Sequence, residues 1–137
     1  MFKRVESMLY NYEDNKVKIK NLLLDLDEVE NNYDGLTGIS LEERTSNTYK
    51  ITSSVENEIT NKERKIEKIK RDIRVREIEV EKINNILPVL NESEYKLIAM
   101  KYFLKMRHKD IAKELKYEEA YITELRTKII NRIKELV

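Results

Sequence analysis

The sequence predicts an all-α protein in which a helical hairpin or coiled coil, residues 1–87, precedes a helix-turn-helix domain, residues 88–137. Composition is the first indication, because 39% of the 137 residues are charged and only 2 Gly and 1 Pro occur. Such a mixture is typical of long, solvent-exposed helices. The second indication is a heptad repeat of apolar residues in two segments before Pro88. The third is a pair of short helical patterns that would cross at Ala112.

Residues 3–33 are expected to form one helix. Their apolar side chains recur every seven residues, with companions at intermediate positions, so they share one face of a helix over about four repeats. This face would consist of Val5, Met8, Tyr12, Ile19, Leu22, Leu26, Val29 and Tyr33, with Asn15 as its polar exception.

Residues 34–52 are expected to be irregular or only partly helical. Gly35 and Gly38 give the strongest turn signal in the chain. The Ser and Thr residues that follow compete with helical hydrogen bonds through their own side chains. Capping-box spacing, which marks the start of a helix, occurs at Ser40 with Glu43 and at Ser53 with Glu56.

A second heptad pattern extends from Val55 to Leu87 and predicts a long helix that cannot bury its apolar face alone. Either it folds back on residues 3–33 as an antiparallel hairpin, or it pairs with a second chain. We expect the hairpin and, in addition, self-association into a homo-oligomer, most simply a dimer. Lys62 and Arg76 interrupt the face and are interpreted as residues that fix the register. Its apolar members are Val55, Ile59, Ile66, Ile69, Ile73, Val80, Ile83 and Leu87.

Pro88 is expected to end the long helix, because proline disfavours helical geometry in the residue before it. Asn91 is the expected cap of the next helix, and Glu94 stands at the position that completes a capping box. The boundary between the two domains is therefore placed near Pro88, with almost no linker.

Three helices are predicted in the C-terminal domain, at residues 92–104, 108–115 and 119–135. The second and third would form a helix-turn-helix, with the small residue Ala112 where their backbones approach. Apolar contacts between these two helices would come from Ile111, Leu115, Ile122 and Leu125, and the buried stripe of the third helix from Ile122, Leu125, Ile129, Ile133 and Leu136.

Charge and apolar content restrict the class of protein. Residues 1–50 carry 7 basic and 10 acidic side chains, whereas residues 88–137 carry 11 and 8. The basic excess lies in the helix-turn-helix segment and gives mild support to nucleic-acid binding. No cysteine, no signal-peptide pattern and no apolar run near the roughly 20 residues of a bilayer span occur. We therefore expect a cytoplasmic protein without membrane contact.

The chain offers little for catalysis. His108 is the single histidine and cysteine is absent, so neither a zinc site of ordinary ligands nor a Ser-His-Asp arrangement is expected. No phosphate-binding loop follows the two glycines. We expect a protein that is not an enzyme and needs no metal or other cofactor, and His108 is interpreted as a surface histidine near DNA.

The segment from Leu90 to Ile133 resembles region four of bacterial sigma factors. An M-K-Y-F segment precedes D-I-A, residues 110–112, which stands where that family has an E-I-A-like segment, and the third helix carries an I-x-x-L-x-x-x-I core. Upstream, G-I-S-L-E-E, S-N-T-Y-K-I-T-S-S-V-E-N-E-I and N-N-I-L-P-V-L-N-E-S-E are similar to phage-encoded late-transcription activators of the ArpU and RinA type, found in phages of low-GC Gram-positive bacteria. The resemblance covers roughly residues 35–137.

The resemblance implies that the chain binds double-stranded DNA at a phage promoter and activates late genes together with host RNA polymerase. Base contacts would come from the exposed start of the third helix and phosphate contacts from cations around it. The base-contact candidates are Glu119, Ala120, Tyr121, Thr123, Glu124 and Thr127, and the phosphate-contact candidates are Lys101, Arg107, Lys109, Lys113 and Lys128.

The chain departs from this family at three positions. Arg107 and Glu118 stand where the family has Ser or Thr caps on the second and third helices, and Lys105 stands where it has a turn glycine. Glu118 and Glu119 together open the third helix, which suits the helix dipole but would repel phosphate.

Two other functions are compatible with the same patterns. A small terminase subunit, which acts in DNA packaging, also joins a helix-turn-helix to oligomerising helices. A protein-only adaptor would instead dock its acidic third helix on RNA polymerase or a sigma factor, and Glu118, Glu119 and Glu124 favour that alternative.

Overall fold

The computed structural model describes residues 1–31 and 48–137, the side chains of residues 48–56 excepted. All regular secondary structure in these ranges is helical, which confirms the all-α class. Within the same ranges, no helix combines the length and apolar character needed to cross a bilayer. The helices are α1 (Phe2–Tyr10), α2 (Tyr12–Asn31), α3 (Thr48–Ile86), α4 (Glu92–Ile98), α5 (His108–Leu115) and α6 (Glu119–Ile133), with 3₁₀ turns at Leu87–Val89 and Lys134–Leu136 and a π-helical turn at Ala99–Phe103.

The chain divides into two compact units, one of residues 1–17 with 76–137 and the other of residues 18–75. The first unit extends beyond the predicted boundary at Pro88, since it takes in α1, the start of α2 and the end of α3. Pro88 itself lies in the 3₁₀ turn that follows α3, so the long helix ends before the proline as predicted.

The helix predicted over residues 3–33 is wrong in one respect, because it is broken at Asn11. Asn11 has φ −90° and ψ −2°, and its side-chain amide lies 3.4 Å from Ser7 Oγ. The Asn11 and Asn15 N–H groups still donate to the Ser7 and Asn11 carbonyls, at 3.0 and 2.7 Å, so the break is a local change of backbone angles that keeps these helical hydrogen bonds. The break separates α1, whose Val5 and Leu9 are fully buried, from α2.

The long helix begins earlier than predicted. Residues 48–52 are helical, which agrees with the prediction that residues 34–52 are at most partly helical. The predicted cap at Ser53 is wrong, because Ser53 lies inside α3 and not at its start. Extending a helix already formed by a strong heptad segment costs little per residue, which outweighs the weak preference of Ser and Thr for other conformations. Tyr33, Gly35, Gly38 and the Ser40–Glu43 pair lie outside the described residues, as does the side chain of Val55.

The core of the first unit gathers side chains from α1, α3, α4, α5, α6 and the π-helical turn. Most of the predicted buried stripe of α6 is confirmed. The prediction for Leu136 is wrong, because this side chain is 57% exposed and Ile130 is fully buried instead. The α-helix ends at Ile133, and the tighter 3₁₀ turn after it rotates Leu136 off the stripe. The fully buried side chains are Val5, Leu9, Ile83, Leu97, Ile98, Tyr102, Ile111, Ile122, Ile129, Ile130 and Ile133.

Polar exceptions of the two heptad faces meet in the first unit. Asn15 is only 3% exposed; it accepts a hydrogen bond from Arg76 Nη1 at 2.9 Å and donates one to Glu79 Oε2 at 3.1 Å. The Tyr12 hydroxyl donates to Asn84, one turn further along α3 than Glu79, the partner of Asn15. In this unit, α2 and α3 are therefore antiparallel. A buried amide that needs these partners penalises other registers, as expected for Arg76.

In the second unit, Lys62 Nζ donates an exposed hydrogen bond to the carbonyl oxygen of Glu30 at 3.1 Å. Ile66 and Ile69 are half-buried and Ile73 is buried, whereas Ile59 is half exposed. The hairpin over its full length and self-association stay predictions.

Candidate nucleic-acid interface

The α5–turn–α6 segment has the helix bounds that the sequence predicts for α5 and for the start of α6. Lys116 ends α5 in the left-handed conformation, with φ 59°, and the Tyr117 N–H donates to the Ala112 carbonyl at 3.0 Å. Ala112 is 8% exposed and Ile111 is fully buried, so α5 presents a small residue and a large apolar one to the core. This arrangement is what two closely crossing helices require.

The three departures from the sigma-like pattern have visible consequences. Arg107 and Glu118 are the N-caps of α5 and α6, and neither side chain accepts a hydrogen bond from the first turn. Lys105 has φ 55°, the left-handed conformation that glycine adopts without steric cost. The Lys105 ammonium lies 2.9 Å from Asp14 Oδ2, which ties this turn to the start of α2.

The outer face of α6 is open to solvent. Five of the six predicted base-contact residues are exposed and the sixth, Thr127, is half-buried. Tyr121 packs edge-on against Tyr117, with ring centroids 4.9 Å apart, and both rings remain nearly half exposed. The exposed members are Glu119, Ala120, Tyr121, Thr123 and Glu124.

The two threonines of this face direct their hydroxyl groups back to the protein. Thr123 Oγ1 donates to the Glu119 carbonyl at 3.2 Å and lies 3.3 Å from His108 Nδ1. Thr127 Oγ1 donates to the Thr123 carbonyl at 2.9 Å. Both threonines therefore have internal partners before any ligand arrives.

Four of the five predicted phosphate-contact residues are exposed, and Lys101 is half-buried. Lys101 Nζ lies 5.9 Å from the centre of the Tyr10 ring, and its charge acts on His108. Arg107 pairs with Asp110 at 3.3 Å in a largely exposed contact, which water screens strongly. The exposed members are Arg107, Lys109, Lys113 and Lys128.

His108 is less exposed than its interpretation as a surface histidine implies. Its Nδ1 faces Thr123, while its Nε2 is buried without a hydrogen-bond partner in the described part of the chain. Burial lowers the pKa of His108 below its ordinary 6.5, the Lys101 and Arg126 charges lower it further, and Glu119 opposes them. The neutral imidazole thus packs between α5 and α6, behind the exposed face.

The inner face of α6 carries an ion pair that the sequence analysis missed. Arg126 Nη1 lies 2.8 Å from Glu6 Oε2, and both side chains are less than one-fifth exposed. The Tyr102 hydroxyl donates to the same oxygen at 2.9 Å, and burial, with the Glu6 charge next, raises the Tyr102 pKa. The sequence does indicate that Arg126 faces the core, because it lies four residues from both Ile122 and Ile130 and so shares their buried face. It does not indicate Glu6 as the partner.

A second ion pair fixes the other end of α6. Arg132 Nη2 lies 2.9 Å from Glu94 Oε1, and that hydrogen bond is the main cause of the lowered pKa of Glu94. Glu94 also completes the predicted capping box with Asn91, which is confirmed by reciprocal bonds of 2.9 and 3.0 Å. One carboxylate therefore caps α4 and anchors α6.

Glu6→Ala should destabilise the chain by about 2–4 kcal/mol, because it leaves the Arg126 charge and the Tyr102 hydroxyl without their partner in a mostly buried setting. Lys96→Ala is the matched control, since it removes one member of an exposed pair with Glu92 at 3.7 Å and should change stability by about 0.5 kcal/mol or less. Urea unfolding of both variants measures the difference. Equal losses would show that the Glu6 network does not anchor α6.

The free energy of unfolding should fall as pH drops below 6.5, the ordinary pKa of histidine. Below this pH, His108 binds a proton in the unfolded chain more readily than in the folded chain, where its pKa is lower. The contribution of neutral His108 to the free energy of unfolding is therefore fully present above this pH and is lost below it. Urea unfolding between about pH 7.5 and 5.5, with wild type and His108→Gln in parallel, measures this contribution. A wild-type minus variant difference that stays constant with pH would contradict it.

Comparison with protein families, with curated proteins and with solved structures finds no match for this chain. Its function is therefore inferred from the residues and geometry of this site.

Proposed function

We propose that the chain is a sequence-specific DNA-binding regulator of transcription in which α5 and α6 act as a helix-turn-helix and α6 enters the major groove. The observation that carries the proposal is the division of α6 into two faces. Ile122, Ile129 and Arg126 hold the inner face in the core. The outer face is open and carries the polar groups of Tyr121, Thr123 and Glu124, which can contact the edges of base pairs.

The charges around this face support contact with DNA. Lys109 and Lys113 are exposed on α5, and Lys128 is exposed on α6. Such cations supply the salt-dependent part of DNA affinity. Glu119 and Glu124 would repel phosphate, but their carboxylates can accept hydrogen bonds from cytosine amino groups inside the groove. The proposed roles are therefore phosphate binding for the lysines and base contact for α6.

The resemblance to phage late-transcription activators supplies the proposed context. In that context the chain binds a promoter and acts with host RNA polymerase. Occupancy of the chain should be measured across the genome that encodes it. We expect a strong peak upstream of a late operon. A peak near a packaging start would instead favour the small-terminase alternative.

Replacing Thr123, Glu124 and Lys128 together with Ala should abolish specific binding without unfolding the chain. All three side chains are exposed, so their loss removes ligand contacts and leaves the core intact. Fluorescence anisotropy with the selected site and with a scrambled duplex, at about physiological salt, measures specificity. Glu135→Ala is the control, because Glu135 is an exposed residue of the C-terminal 3₁₀ turn. This variant should bind the selected site as the wild type does. Specific binding that survives the triple change would exclude α6 as the recognition helix.

We also propose that the chain binds DNA as a homodimer through α2 and α3. α2 exposes Val17 at 58% and Leu24 at 62%, seven residues apart, as a second copy of the chain would require. α3 exposes Val75 at 58%. Sedimentation equilibrium should give twice the 16.5 kDa mass of the chain, and Val17→Ser with Leu24→Ser should shift the mass towards the monomer. A monomeric wild type would contradict the dimer.

A protein-only adaptor is the second candidate, and the surface at the start of α6 favours it. Tyr117 and Tyr121 form an exposed aromatic pair beside the exposed carboxylates of Glu118 and Glu119. Aromatic faces and carboxylates together suit a basic protein surface. Co-purification with RNA polymerase after nuclease treatment, with no binding to isolated DNA, would establish this function in place of DNA recognition.

A further inference from the structure

We infer that Thr123 and Thr127 contact base pairs only through hydrogen-bond acceptors and methyl groups. The operator would then present adenine or cytosine amino groups, or thymine methyl groups, to these two residues, and would not present guanine at the positions that they contact. The inference rests on the proposed DNA-binding function and deepens it, because it names the base edges that α6 selects.

Thr123 has no hydroxyl proton left for DNA. Its one proton lies between Thr123 Oγ1 and either the Glu119 carbonyl, at 3.2 Å, or His108 Nδ1, at 3.3 Å. If His108 carries its proton on Nδ1, the imidazole donates to Thr123 and the hydroxyl donates to Glu119. If Nδ1 is unprotonated, the hydroxyl proton can point to either acceptor. In both tautomers the hydroxyl offers DNA an acceptor oxygen and a methyl group.

Thr127 is limited in the same way, since its hydroxyl donates to the Thr123 carbonyl at 2.9 Å. The two threonines are four residues apart and therefore neighbours on one face of α6. Each can accept a hydrogen bond from the amino group of adenine or cytosine, or pack on a thymine methyl group. Guanine presents only acceptors, N7 and O6, in the major groove, so its lone pairs would face those of the threonine oxygens.

The two arginines of α6 are also engaged elsewhere. Arginine binds guanine through two hydrogen bonds and is the most common specific contact. α6 contains two arginines: Arg126 pairs with Glu6 at 2.8 Å, and Arg132 pairs with Glu94 at 2.9 Å. The Arg126 pair is mostly buried and the Arg132 pair is partly exposed, and both attach α6 to other helices of the first unit. The outer face keeps carboxylates, threonine oxygens and methyl groups, the Tyr121 phenol and the single lysine Lys128.

Selection of bound duplexes from a random library, with the full-length chain, tests the inference. Some base positions of the selected site should change their preference when Thr123 or Thr127 is replaced. The wild type should enrich adenine, cytosine or thymine at these positions on one strand. Thr123→Val keeps the methyl group and removes the oxygen, whereas Thr123→Ser does the reverse. Glu135→Ala, the exposed change already used as a control, should enrich the wild-type site. Circular dichroism at equal concentrations checks that each variant keeps the helical content of the wild type.

Base analogues then separate the two contacts within the selected site. Where Thr123 accepts from adenine, purine in place of adenine should weaken wild-type and Thr123→Ser binding by about three- to tenfold and leave Thr123→Val unchanged. Where it packs on thymine, uracil in place of thymine should weaken the wild type and Thr123→Val but not Thr123→Ser.

Guanine at the positions that respond to the threonine variants would overturn the inference and leave the DNA-binding proposal intact. A selected site with no position that responds to any threonine variant would overturn it equally. A wild type that enriches no sequence at all would instead refute sequence-specific DNA binding, and the inference with it.

Discussion

The carboxylate of Glu6 holds together three parts of the chain that lie far apart in sequence. It accepts hydrogen bonds from Arg126 on α6 and from Tyr102 in the π-helical turn, and it belongs to α1. The two residues that flank it on the helix face, Val5 and Leu9, are fully buried against the same core. A mostly buried charge with two partners stabilises only the arrangement in which all three groups meet, so the position of α6 depends on α1.

This constraint determines which side of α6 faces outwards. Ion pairs at Arg126 and Arg132, together with buried isoleucines, hold one side of the helix. Long basic side chains are thereby used for structure, and the exposed side keeps short groups such as Ala120 and Thr123. Short side chains such as these reach base edges only when the helix approaches its ligand closely, which the exposure of this face allows.

The histidine between α5 and α6 connects the core to the proposed DNA-binding surface. His108 is kept neutral by burial and by the Lys101 and Arg126 charges, and its Nδ1 lies against the Thr123 hydroxyl. The imidazole that contacts the Thr123 hydroxyl is therefore itself partly buried at the start of α5. Elsewhere in the same unit, Asn15 has a comparable role, since its amide joins Arg76 and Glu79 across α2 and α3.

Local signals in the sequence determined much of this protein. The Asn91–Glu94 capping box, Pro88 after α3 and the bounds of α5 all depend on residues within a few positions of one another, and the structure contains each of them. The exposed face of α6 followed from its 3.6-residue period in the same way. Tertiary structure alone decided the partners of Arg126, Asn15 and His108. Those features depend on contacts between residues up to 120 positions apart, and no local pattern specifies which polar groups will meet when the helices pack.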